Sequence, residues 1–201
     1  MINFSDQSFF LNAGSLPECI DQELVQFSLH QALGFNEYVQ ERLNFLKTQP
    51  NAVLNIGFLQ RFKPSIAVFP GSFNPFHKGH YNVLQKAEKI FDKVIIAIGR
   101  NPDKNGRSFP IPQSIRNRQI EQYDGLLTDF VGRLNHDVVI IRGLRNSTDF
   151  QYEQNQYRYI QELMPGIKIV NIFCDKEFEH ISSSGIRTLE KFDRHRVYLL
   201  D

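Results

Sequence analysis

The chain has 201 residues, a formal net charge of +1, and 41% hydrophobic against 22% charged residues. That is the balance of a soluble globular protein able to bury a sizeable core, and it excludes a global field that would gather nucleic acid or a membrane surface. No stretch approaches the roughly 18 apolar residues of a membrane span, and "MINFSDQSFF" has neither the basic start nor the apolar run of a signal peptide. A cytoplasmic protein without nucleic-acid or membrane partners is expected. Cys19 and Cys174 are far apart and outside any CxxC or Cys/His cluster, so reduced, buried thiols are expected. The composition counts eighteen Phe and no Trp, for which the sequence alone offers no functional reason.

In chain order, residues 1–62 read as an N-terminal helical extension and 63–201 as the main domain. "SLPE" at 15–18 has the form of a capping box with Pro17 in the first turn. Ile20, Leu24 and Phe27, then Val25, Leu29 and Leu33, recur at helical spacing. Gly34 interrupts, Asn36 can cap, and Val39, Leu43 and Leu46 give a second apolar face before Pro50. A helical hairpin over 17–33 and 37–47 follows. "NAVLNIGFLQRF" after it is ambiguous between strand and helix.

From Ser65 the pattern alternates. "SIAVFP" reads as a buried strand, 78–91 as an amphipathic helix, "KVIIAIG" (93–99) and "DVVII" (137–141) as further strands. Residues 148–163 read as a helix, "IKIVNIF" (167–173) as a fourth strand, and 183–192 as a closing helix. Val/Ile-rich strands alternating with helices predict an α/β fold, a doubly wound parallel sheet. Ligands of such sheets bind beyond the carboxyl ends of the strands.

Each predicted strand end carries groups suited to an anion. "PGSFNPFHKGH" (70–80) follows the first: Gly71 lets the backbone turn sharply and come close to a ligand, Ser72 adds a hydroxyl, and His77 and His80 frame Gly79 at a helix start. Imidazole N–H groups there add donors without fixed charge, which suits a phosphate. No third His, Cys or carboxylate stands at ligand spacing, so a metal site of protein side chains is not expected. The third strand ends at Arg142, with Gly143 and Arg145 following. Those guanidiniums either fork onto phosphate oxygens or pair with Asp149, Glu153 or another local carboxylate. In "ISSSGIR" (181–187) one hydroxyl caps the closing helix, while three caps would be redundant. Lys104, in "NPDKNG", is either a solvated surface lysine or a cation on the same rim.

These segments resemble the HxGH nucleotidylyltransferases, a Rossmann-like superfamily, and within it the phosphopantetheine adenylyltransferase family. The resemblance runs from about Ala67 to Phe192. "PGSFNPFHKGH" is similar to PG(T/S)FDPxxxGH, "YDGLLTDF" (123–130) to FDGLLVDF, "IRGLRNSTDFQYE" to IRGLRxxxDFxYE, and "LMPGI…ISSSGIR" to LMP…ISSSxxR.

The resemblance implies transfer of AMP from ATP, with Mg²⁺, to 4′-phosphopantetheine, giving 3′-dephospho-coenzyme A and pyrophosphate. It implies that Ser72, Phe73 and His80 contact ATP phosphates, with His77 beside them. Gly143, Leu144, Arg145 and Glu153 would hold the nucleotide, as would Phe178, Ile181, Ser182, Ser183 and Ser184. Ser72, Lys104, Leu127 and Arg142 would meet the acceptor. His80, Lys104 and Arg145 are the candidate catalytic residues, and a homo-oligomer is expected. The chain departs from the pattern at Asn74, where Asp is usual, at His77, where Thr is common, and between Lys104 and Tyr123, where it is shorter. The hairpin also lies outside the pattern. Two other functions therefore stay open: a related nucleotidylyltransferase with another phosphorylated acceptor, and a non-catalytic nucleotide- or CoA-binding protein.

Overall fold

The computed structural model of the chain describes residues 65–100, 109–134 and 136–201. The hairpin expected over 17–47, the ambiguous segment after it and Lys104 lie outside the described residues.

Among the described residues a five-stranded parallel sheet runs in the order β3-β2-β1-β4-β5. Its strands are β1 (Ile66–Gly71), β2 (Lys93–Arg100), β3 (Ile120–Asp124), β4 (Val138–Leu144) and β5 (Lys168–Phe173). The helices are α1 (Lys78–Ala87), α2 (Leu127–Arg133), α3 (Ser147–Leu163) and α4 (Ser183–Glu190). The doubly wound parallel sheet expected from the sequence is therefore present. Ile66, Ala67, Val68 and Phe69 are all buried, because a central strand is covered on both faces and its run of apolar residues does not alternate.

One face carries Ala67, Phe69, Ile96, Ile141 and Ile172, packed against Val83, Leu84 and Ala87 of α1. α1 lies close to β4, since a Cβ at Gly143 would meet Val83 Cγ2 at 3.2 Å. Strand alternation directs Val68, Ile95, Ala97 and Ile140 to the other face, and right-handed crossovers bring α2 and α3 there. Winding reverses at β1, whose pairing with β4 runs only from Ile66↔Val138 to Val68↔Ile140. Beyond Val68 the pairing of the two strands ends, at the topological switch point where ligands of such sheets bind.

The structure corrects four boundaries. A fifth strand, β3, forms where none was expected. It is an edge strand paired from Ile120 to Asp124 with β2, and its half-exposed "IEQYD" lacks a buried apolar run. β4 continues through Arg142 to Leu144, held by register pairs Arg142↔Asn171 to Leu144↔Phe173. α1 stops at Ala87 rather than Phe91: the Ala87 carbonyl accepts from the N–H of both Ile90 and Phe91 at 2.9 Å, and the turn drops Phe91 into the core. α4 stops at Glu190 rather than Phe192, because Asp193 takes a left-handed φ of 54° and Arg194 N–H returns to the Leu189 carbonyl at 3.1 Å.

Candidate active site

The turn after β1 is built around aromatic rings. A Cβ at Gly71 would fall 2.8 Å from the Phe73 ring, so the close approach that requires glycine is made by Phe73. Phe73 has φ 43° and is 8% exposed, its ring 5.1 Å from those of both Phe69 and Phe76. Its side chain faces the core, which leaves its backbone for the rim. Together these rings border His80, whose imidazole meets Phe73 edge-on at 5.0 Å and lies 5.4 Å from Phe76. Part of the heavy Phe usage is thus the bed on which one histidine rests.

His77 caps α1 reciprocally with His80. The His80 N–H donates to His77 Nδ1 and the His77 N–H to His80 Nδ1, both at 3.4 Å. The two rings stack at 3.6 Å. Gly79 is required between them, since a Cβ there would stand 3.1 Å from the His77 ring. With both Nδ1 atoms accepting, each neutral imidazole carries its proton on Nε2. Burial, then the Arg145 charge, lowers the His77 pKa to about 4. Burial, then His77 and Arg145, holds His80 well below the usual histidine range. The motif is a pair of neutral N–H donors at a helix N-terminus, in reach of the Arg145 field.

Arg145 is held by Asp149: its backbone N–H donates at 3.0 Å, Nε at 2.8 Å and Nη2 at 2.9 Å to that carboxylate. Arg142 Nε lies 3.1 Å from Glu153 Oε2 without the alignment of a hydrogen bond, and Nε has no hydrogen-bond partner. Both guanidiniums therefore pair locally, the second of the two readings the sequence left open. Nη1 of Arg145 takes no part in its carboxylate fork and can still donate at the rim. Burial raises the Glu153 pKa despite the Arg142 charge. Beside Glu153, a cavity of about 280 Å³ is lined by Arg142, Phe150, Tyr157, Ile160 and Asn171.

The three serines divide their work. Ser182 Oγ caps α4 by accepting from the Gly185 N–H at 3.1 Å, and Ser183 Oγ donates to the Pro75 carbonyl at 3.0 Å. Ser184 is exposed, its Oγ 3.3 Å from that of Ser182. Arg187 Nη1 adds a 2.5 Å bond to the Asn74 carbonyl. Segments more than a hundred residues apart are thereby tied rim to rim.

Other expected residues act from behind. Leu144 is fully buried and its carbonyl accepts from the Cys174 N–H at 2.9 Å. Ile181 is 5% exposed and Phe178 packs against the core, so both shape the loop from beneath. Ser72 is exposed on the rim, Gly143 is exposed at the end of β4, and Leu127 opens α2 just past β3.

The sequence named Asp149 among the possible carboxylate partners, and the structure assigns it to Arg145. One support was missed, residues 197–199: Leu199 bridges His77, and Lys78 Nζ donates to the Val197 carbonyl at 2.8 Å. No periodicity announces that contact.

For a metal, the carboxylates nearest the rim are committed: Asp149 to Arg145, Glu153 to Arg142, and Asp175 to Lys86 at 2.7 Å. Among the described residues no cluster of His, Cys, Asp or Glu could hold an ion.

Comparison with known proteins gives the family. Residues 68–189 match the cytidylyltransferase-like family. The phosphopantetheine adenylyltransferase of Mycoplasma capricolum is 37% identical over 138 residues, covering 64% of this chain and 99% of that protein. Its counterpart in Cytophaga hutchinsonii is 38% identical over 138 residues, 64% of this chain and 91% of that protein. The one from Levilactobacillus brevis is 34% identical over 137 residues, 64% of this chain and 84% of that protein. From Val68 to Leu189 this chain belongs to the cytidylyltransferase-like nucleotidyltransferases, and within them to the phosphopantetheine adenylyltransferase family.

Proposed function

We propose that the protein transfers AMP from MgATP to 4′-phosphopantetheine, releasing pyrophosphate and forming 3′-dephospho-coenzyme A. The observation that carries this reading is the neutral His77–His80 pair, tautomer-fixed at the N-terminus of α1 and within the field of Arg145. An oxygen of the acceptor phosphate attacks the ATP α-phosphorus, and the bond from that phosphorus to the bridging oxygen breaks. The electron pair leaves with pyrophosphate. The nucleophile is already anionic at neutral pH, so no residue need take a proton, and catalysis rests on alignment and charge stabilisation. The Nε2–H of His80 serves the oxygens on the α-phosphorus, while Arg145 and the exposed Ser184 hydroxyl serve the departing pyrophosphate. Ser72, Leu127 and Arg142, with Lys104, serve the acceptor.

The test is pyrophosphate release with both substrates. Turnover lost in His80→Ala supports the reading, and wild-type turnover no higher than that variant's overturns it. The same reading carries a homo-oligomeric cytoplasmic enzyme. The homo-oligomer is supported by α3, whose Tyr152 and Tyr159 stand 63% and 64% exposed, and light scattering gives the mass.

A further inference from the structure

The sheet face opposite α1 carries a side chain that the reaction above does not use. Register pairs Tyr123 with Gly99, Ala97 with Pro70, and Val68 with Ile140. Alternation along each strand then sets Tyr123, Gly99, Pro70 and Arg142 on one face. A Cβ at Gly99 would stand 3.0 Å from the Tyr123 hydroxyl, so the phenol leans over β2, toward the middle of the sheet. Phe130 of α2 holds the ring there, stacked at 5.0 Å and 24°.

Opposite stands Arg142 on β4, close enough for its charge to act on the phenol, whose pKa burial raises above the usual value. The hydroxyl is therefore a neutral donor at physiological pH, facing a cation across the end of β1. There the pairing of β1 with β4 has ended and the exposed Ser72 begins the turn. Two donors of this kind, flanking a gap that opens on a serine, suit a tetrahedral dianion. Packing does not call for the hydroxyl, because the family segment FDGLLVDF has Phe at this position.

We propose that the Tyr123 hydroxyl is a specificity-determining contact, donating a hydrogen bond to a phosphate oxygen of the acceptor from the side opposite Arg142. This rests on the adenylyl-transfer reading and deepens it by naming the group that the second sheet face recognises.

The experiment compares steady-state kinetics of wild type, Tyr123→Phe and Gly99→Ala with ATP and 4′-phosphopantetheine. Tyr123→Phe keeps the ring and its stack on Phe130, while Gly99→Ala keeps the hydroxyl and displaces it. Each is expected to raise KM for phosphopantetheine about ten-fold, the worth of one hydrogen bond to a charged group, with KM for ATP and kcat within two-fold of wild type. If one variant fails to fold, the other decides. A phosphopantetheine KM within two-fold of wild type overturns the inference while leaving the reaction intact. An equal rise in KM for ATP also overturns it, by assigning the hydroxyl to the nucleotide. A wild-type enzyme without turnover on this pair removes the reaction itself, and the inference with it.

Discussion

Asp149 grips Arg145 through three hydrogen bonds, one from the backbone N–H and two from the guanidinium, all between 2.8 and 3.0 Å. The carboxylate belongs to the first turn of α3, so a single acidic side chain fixes both the backbone just past β4 and the aim of the cation there. Its own pKa is held below the usual carboxylate range by that grip. Asp149→Asn keeps an acceptor but loses the charge and half the fork, and kcat/KM is expected to fall about ten-fold. Arg145→Lys removes the planar donor set altogether and is expected to cost on the order of 10²–10³-fold. Pyrophosphate release under steady state checks both, and a fully active Arg145→Lys would remove this residue from the charge-stabilising set.

The histidine pair makes stability depend on pH in a definite direction. His77 titrates at about 4 in the fold and near 6.5 when unfolded. Between those values the unfolded chain binds a proton that the folded chain refuses, so stability falls as pH drops through that window. The contribution is roughly 3 kcal/mol for His77, whose side chain is buried. His77→Thr keeps an N-cap oxygen and does not titrate there, so its urea midpoint should vary less from pH 6.5 to 4 than that of the wild type.

Ser183 joins the α4 turn to the Pro75 carbonyl. Ser183→Ala is expected to cost about 1 kcal/mol of stability, and about ten-fold in kcat as the two turns lose their alignment. Thermal unfolding alongside kinetics measures both. A drop in stability with unchanged kcat would make the bond a fold contact alone.

Arg118 and Glu88 form an ion pair whose side chains are 8% and 9% exposed, with Nε–Oε1 at 2.5 Å and Nη2–Oε2 at 3.0 Å. Arg118 Nη1 also donates to the Ser114 carbonyl at 2.8 Å. Glu88→Gln leaves a buried guanidinium without its counter-charge and is expected to cost about 3–5 kcal/mol, seen as a lower urea midpoint. Replacing both residues by well-packed apolar side chains should restore much of that loss.

The parts legible in the sequence are those whose physics is local. Val/Ile runs marked β1, β2, β4 and β5, because strands buried on both faces cannot alternate. Parallel pairing then placed their carboxyl ends on one rim, which is why His80, Arg142, Arg145 and the serines could be grouped from spacing alone. β3 was illegible because an edge strand is half solvated and its "IEQYD" carries no apolar stripe. Asp149 and Glu153 were both named as possible local partners of the two guanidiniums; that Asp149 takes Arg145 and Glu153 reaches from α3 across to Arg142 on β4 is set by the packing of α3 on the sheet. Gly71 was read as a close backbone approach to a ligand and Gly143 as another close approach, whereas the neighbours that exclude a Cβ there are Phe73 in one case and Val83 in the other. Only tertiary packing decides that.

Residues 197–201 reach back to the turn after β1 and to the segment before β3: Leu199 bridges His77, the Val197 carbonyl takes Lys78 Nζ, and Asp201 receives the Ser114 N–H at 3.0 Å. Without residues 197–201 every rim residue would still be present, yet the histidine turn would lack its brace. The chemistry of the rim therefore depends on a segment that holds none of its groups and acts only by bracing the turn that does.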